Sequence, residues 1–138
     1  MNKIYIYTNK EKVFLLLLIP FTHNLIVYVL NVFFLQDLII NKSIYLIETS
    51  NVVGILFSFI ALFFILLLLF NIKENRIFQI LLLLFGSILT NLIDRLLYGG
   101  VMDYISIKWL GVFNIADIGI IVSIGILFVL MVINKKLN

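Results

Sequence analysis

Apolar runs separated by short polar stretches dominate the chain, and each run approaches the length needed to cross a bilayer. The clearest covers 52–70 without a charge. At about 1.5 Å per residue, a helix of that length matches a hydrocarbon core of roughly 30 Å. Further runs cover about 13–35, 77–97 and 114–133. The first follows Lys3, Lys10 and Lys12 as a secretory leader would, but its length and lack of a small-residue cleavage site predict a retained helix. Pro20, His23, Asn24 and Asn31 interrupt it. Proline removes a backbone hydrogen bond, so neighbouring helices must compensate for it. The pattern predicts an all-α membrane protein of four transmembrane helices forming a single domain over residues 1–138. Polar residues 36–51 predict a surface loop, strand-like from Ser43 to Ile47, and residues 101–113 predict a short connection. Together they form a short irregular or β-like extracytoplasmic region. Gly99-Gly100 stops the third helix, since glycine readily takes positive φ. Gly86, Ser87 and Thr90 let a neighbouring helix approach closely.

Composition agrees with a bilayer environment: 64% of residues are hydrophobic and 12% charged, against about half and a quarter in a soluble domain. Cysteine is absent, which excludes disulfides, thiolate metal sites and cysteine nucleophiles, and the single histidine argues against a histidine metal site. The net charge of +3 is scattered at the ends of apolar runs, so it predicts membrane orientation and not nucleic-acid binding. Lys3, Lys10, Lys12, Lys73, Arg76, Lys135 and Lys136 fall on one side, and Lys42, Arg95 and Lys108 on the other. The positive-inside rule then places both termini in the cytoplasm.

Charge within the apolar framework concentrates between Asn91 and Asp117, where Asp94, Asp103 and Asp117 lie. A charge at a bilayer centre costs roughly 2.5 to 3.5 kcal/mol, so such a cluster is a candidate functional site. Asp103 lies beyond the third helix and Asp117 in the first turn of the fourth. A connection of this length can fold back to bring them together as an acid and base pair of aspartic-peptidase type, one carboxyl activating water and the other polarising a carbonyl. Asn114 is a candidate N-cap for the fourth helix. Asp94 and Arg95 are helix neighbours that point in different directions; spacing alone slightly favours both marking the helix end and reaching for the interface. His23 and Asn24 are expected as buried packing residues, and Tyr98, Tyr104 and Trp109 as an interfacial aromatic belt. A small four-helix transporter or ion-coupled protein is the competing class, with the same acids as a relay. Their position at a helix end and in a loop favours the peptidase.

The ordered motifs Asn91-Leu92-Ile93-Asp94-Arg95, Gly99 with Val101-Met102-Asp103-Tyr104, and Phe113-Asn114-Ile115-Ala116-Asp117 resemble the lipoprotein signal peptidase (signal peptidase II) family. The resemblance implies a membrane-embedded aspartic endopeptidase that cleaves prolipoprotein signal peptides before a diacylglyceryl-modified cysteine. Such an enzyme needs no metal or organic cofactor and works in the bacterial inner membrane, among membrane lipid, with its site facing the periplasm or exterior; a four-helix bundle with an enclosed cleft can do so as a monomer. Asp103 and Asp117 are the implied catalytic dyad; Asn91, Arg95, Asn114 and Asn51 the implied substrate-binding residues; Asp94 and Gly99 structural support. A noncatalytic lipopeptide-binding relative is the alternative within that resemblance. Departures lie mostly in the first half. An Asp-x-x-x-Lys motif of the first helix is missing near His23, and an Asn-Thr-Gly-x-x-Phe motif has only a loose counterpart in Asn51 to Phe57, with one residue extra before Gly54. Thr90 stands where the family usually has glycine, and the connection from Asp103 to Asn114 lacks the usual proline.

Overall fold

The computed structural model describes residues 9–30, 39–41 and 50–137. In chain order these form α1 (Asn9–Val29), β1 (Ile39–Asn41), α2 (Asn51–Asn71), α3 (Asn75–Tyr98), β2 (Val101–Asp103), β3 (Ile105–Ile107), β4 (Gly111–Phe113) and α4 (Ile115–Leu137). Three of these helices, α2, α3 and α4, are long and apolar enough to cross a membrane, while α1 contributes a shorter apolar stretch, Leu16–Val29. The strand expected at Ser43 to Ile47 lies outside the described residues. A strand is instead found slightly earlier, at β1, and the connection after α3 is more regular than a plain loop.

Helix α3 packs against each of the other three helices and is the axis of the bundle. Its sequence explains this position. Leu81, Leu84 and Leu92 supply buried apolar surface, whereas Gly86, Ser87 and Thr90 keep the helix narrow where neighbours cross. Ser87 and Thr90 donate their hydroxyls to Leu83 O and Gly86 O one turn back, both at 2.8 Å, so neither polar group is buried unsatisfied. Gly86 has a second use. Pro20 has no N–H to offer the carbonyl of Leu16, and that oxygen lies where a Gly86 Cβ would stand, 2.6 Å from it. Only a glycine admits α1 so closely. Gly119 of α4 similarly leaves room for the Ser87 hydroxyl. Towards the other end, Ile65, Leu81, Leu84 and Ile120 close an apolar core between α2, α3 and α4. Phe59, Phe63 and Phe64 of α2 face outward, a surface suited to hydrocarbon.

The α2 start is capped by the Ser50 hydroxyl, which accepts from Val53 N at 3.4 Å. Gly99 ends α3 with φ of 75°, as its sequence predicts. The chain then enters β2, which pairs antiparallel with β1 so that Asp103 faces Ile39 in the register. β3 and β4 form a hairpin turned at Lys108 to Leu110, and Tyr104 N donates to Phe113 O at 3.2 Å to extend it. These short strands deliver Asp103 and Asn114 to the same end of the bundle as Arg95.

Candidate active site

Asn114 is the centre of the polar cluster and is fully buried. As the residue preceding α4, it does what its sequence predicts: its Oδ1 accepts from Ala116 N at 2.7 Å and Asp117 N at 3.0 Å. Asp117 reciprocates, its Oδ2 accepting from Asn114 N at 3.2 Å in a capping box closed by aspartate. The cap leaves the Asn114 amide nitrogen pointing inward. Nδ2 donates to Asp103 Oδ1 at 3.2 Å, to Asn91 Oδ1 at 3.1 Å and more distantly to Met102 O at 3.5 Å. Asn91 completes the ring by donating Nδ2 to Asp117 Oδ1 at 2.8 Å. Asp103, Asp117, Asn91 and Asn114 thus form one group, drawn from α3, β2 and the start of α4. Asp103 is almost completely buried, so its amide contact substitutes for water that burial has removed.

Asp94 and Arg95 do not mark an exposed helix end. Both are buried, at 1% and 6% exposure, because β2 folds back over the last turns of α3 and covers them. They do point in different directions. Asp94 Oδ2 accepts from Met102 N at 2.9 Å and lies 3.0 Å from His23 Nε2. The guanidinium of Arg95 lies against Gly54 of α2, where an added Cβ would stand 2.6 Å from Nη1. Asn51, one turn earlier on α2, donates Nδ2 to the carbonyl oxygen of Arg95 at 3.0 Å. Gly99 stands apart and serves the chain reversal alone.

The first helix brings a residue that its sequence presented only as packing. His23 is buried as expected, but it contacts Asp94 and Tyr104. Asn24 is exposed and not buried: it faces away from the bundle and donates to Pro20 O at 2.8 Å, a carbonyl of its own helix. Trp109 is exposed at the hairpin turn and Tyr98 partly so, which suits an interfacial belt. Tyr104 turns inward instead. Its hydroxyl accepts from Ile115 N at 3.2 Å and lies 3.4 Å from His23 Nδ1. Burial holds this phenol above its ordinary pKa, opposed by the hydrogen bond from Ile115 and assisted by the carboxylates of Asp94, Asp117 and Asp103. The signals that could have found this pair are a lone histidine within an apolar run and a hydroxyl on the aromatic residue after Asp103.

An apolar bundle of membrane-crossing length, with carboxylates gathered at one end, defines a multi-pass membrane protein with a polar site under a small β cover. The family model for Signal peptidase (SPase) II matches residues 2–133, and the chain belongs to the signal peptidase II family. Among curated relatives, a lipoprotein signal peptidase of Desulfitobacterium hafniense is 44% identical over 52 residues, 37% of this chain and 34% of the relative. One of Staphylococcus haemolyticus is 35% identical over 97 residues, covering 64% and 60%. The matches therefore span about a third to three fifths of these relatives' lengths. A solved bacterial membrane enzyme has the same fold, with a TM-score of 0.79 at 18% identity over 96% of this chain and 93% of that one.

Proposed function

We propose that this protein is a membrane-embedded aspartic endopeptidase that removes signal peptides from prolipoproteins, cutting before a diacylglyceryl-modified cysteine, with Asp103 and Asp117 as its catalytic pair. The observation that carries this reading is the contact of one buried asparagine, Asn114, with both aspartates. Its side-chain amide holds Asp103 and its main-chain N–H holds Asp117, so one residue sets the separation of the two carboxylates without adding charge. In the reaction, one carboxylate takes a proton from water as its oxygen attacks the scissile carbonyl carbon. The other, protonated, donates to the carbonyl oxygen. Collapse of the tetrahedral intermediate breaks the C–N bond as a proton passes to the leaving amine. Asn91, Asn114, Asn51 and Arg95 position the peptide, with Asp94 and Gly99 as support; the guanidinium beside Gly54 is suited to peptide carbonyls. No metal or organic cofactor takes part.

The chain acts as a single domain and a monomer in the bacterial inner membrane, with four spans, α1 being the fourth, and both termini cytoplasmic. Two features support that orientation: the carboxylates cluster where α3 ends and α4 begins, and most basic residues belong to the opposite side. A lipidated cysteine rests at the bilayer surface, so its precursor enters laterally from membrane lipid towards a site facing the periplasm or exterior. The test is complementation of a strain lacking lipoprotein signal peptidase. The parent chain restores precursor processing, whereas Asp103→Asn and Asp117→Asn, present in the membrane at equal amounts, do not; processing by either variant at the parental rate overturns the assignment.

A further inference from the structure

His23 of α1 makes two contacts, one with Asp94 of α3 and one with Tyr104 of the β2–β3 connection. The ring is completely buried. Nε2 is 3.0 Å from Asp94 Oδ2, a close polar contact whose angle falls outside hydrogen-bond geometry, and Nδ1 is 3.4 Å from the Tyr104 hydroxyl. Each partner makes a further contact with the backbone of a site element. Asp94 Oδ2 receives Met102 N, the residue before Asp103, and Tyr104 Oη receives Ile115 N, two residues before Asp117.

We propose that His23 is a positioning residue for the aspartate pair: through Asp94 it fixes the strand that carries Asp103, and through Tyr104 the first turn of α4 that carries Asp117. This inference rests on the peptidase reading given above. One arrangement of donors and acceptors fits these contacts. A carboxylate only accepts, so Nε2 bears the proton that faces Asp94. Ile115 N donates to the Tyr104 oxygen, which frees the phenol proton to reach a neutral Nδ1. Ile115 N–H thus reaches the Tyr104 oxygen, the phenol proton reaches His23 Nδ1 and Met102 N–H reaches Asp94, while Nε2–H lies beside the same carboxylate as a close polar contact. The arrangement places the imidazole outside the reacting group. Its effect is on geometry, where a displacement of about 1 Å costs on the order of 100-fold in rate.

His23 is the single histidine of the chain, so a histidine-selective nitrogen NMR spectrum reports it alone. In detergent-solubilised parent protein the spectrum shows the ring proton on Nε2 and Nδ1 as an acceptor. Tyr104→Phe moves the Nδ1 signal and Asp94→Asn the Nε2 signal. An Nδ1–H tautomer, or signals indifferent to both variants, overturns the network whatever the protein cleaves. The kinetic arm uses a synthetic diacylated signal-peptide substrate. Tyr104→Phe, which removes one oxygen, lowers kcat by about 10-fold with KM unchanged, and His23→Leu lowers it by roughly 100-fold. His23→Gln, whose amide nitrogen reaches the Nε2 position, recovers much of the loss. Unchanged kcat in both Tyr104→Phe and His23→Leu, or a loss confined to KM, overturns the positioning role. An inactive parent with the expected NMR signature instead removes the peptidase reading and leaves the network standing.

Discussion

The carboxylates of this protein are held in two different ways, although they lie within a few residues of one another in space. Asp94 is tied to a main-chain N–H and an imidazole. Asp103 and Asp117 are tied to the side-chain amides of Asn114 and Asn91. The first arrangement ties α1 to the junction of α3 and β2, so it acts as a fastening. The second is made largely by side-chain amides beside the charged Arg95 guanidinium, and side chains shift by small rotations, which suits groups that must exchange protons during a reaction. Burial of a carboxylate therefore does not by itself distinguish chemistry from support; the partners do.

Substitutions that exchange or remove those partners test this contrast. The largest effect is expected on the reactive pair: Asp103→Asn and Asp117→Asn each lower cleavage of a lipidated precursor by about 1000-fold or more, with the thermal melt in detergent little changed. Asn114→Ser separates the cap from the amide bridge. A serine still caps α4, so the loss of stability is confined to the buried amide contacts with Asp103 and Asn91, roughly 1–2 kcal/mol, while cleavage falls by roughly 100-fold because the Asn114 donor to Asp103 is gone. Asp94 shows the opposite balance. Asp94→Ala strands Met102 N–H and His23 in a buried site and costs roughly 3 kcal/mol in a denaturation experiment, whereas Asp94→Asn retains an acceptor and costs much less. A catalytic loss in Asp94→Asn as large as in Asp103→Asn would erase the distinction between fastening and chemistry. The smallest change is at Gly54, where Gly54→Ala pushes a methyl against the Arg95 guanidinium; kcat/KM falls by about 10-fold with little change in melting, since a flexible side chain gives way before the helix does.

The same division governs what could be read along the chain. Gly99 and Asn114 behave as their residue types demand, one taking positive φ at a helix stop and the other turning its carbonyl oxygen onto the next two N–H groups. Those are local choices, settled within one turn. His23 was legible only as a polar residue in an apolar helix, because its Tyr104 partner lies 81 residues away. Asp94 and Arg95 read as an exposed helix end because nothing nearby in sequence signals that β2 will cover them.

The sequence by itself determined where the apolar segments lie, where α3 stops and α4 starts, and which residues bear the family's motifs, since hydrophobic length and capping depend on neighbours along the chain. The tertiary structure decided that β1 lies beside β2, that one asparagine amide meets Asp103 while its cap engages Asp117, and that α1 lends an imidazole to Asp94. Those pairings depend on how closely helices cross. That closeness follows from a glycine facing a carbonyl freed by Pro20, a contact between two residues that have no relation until the bundle forms.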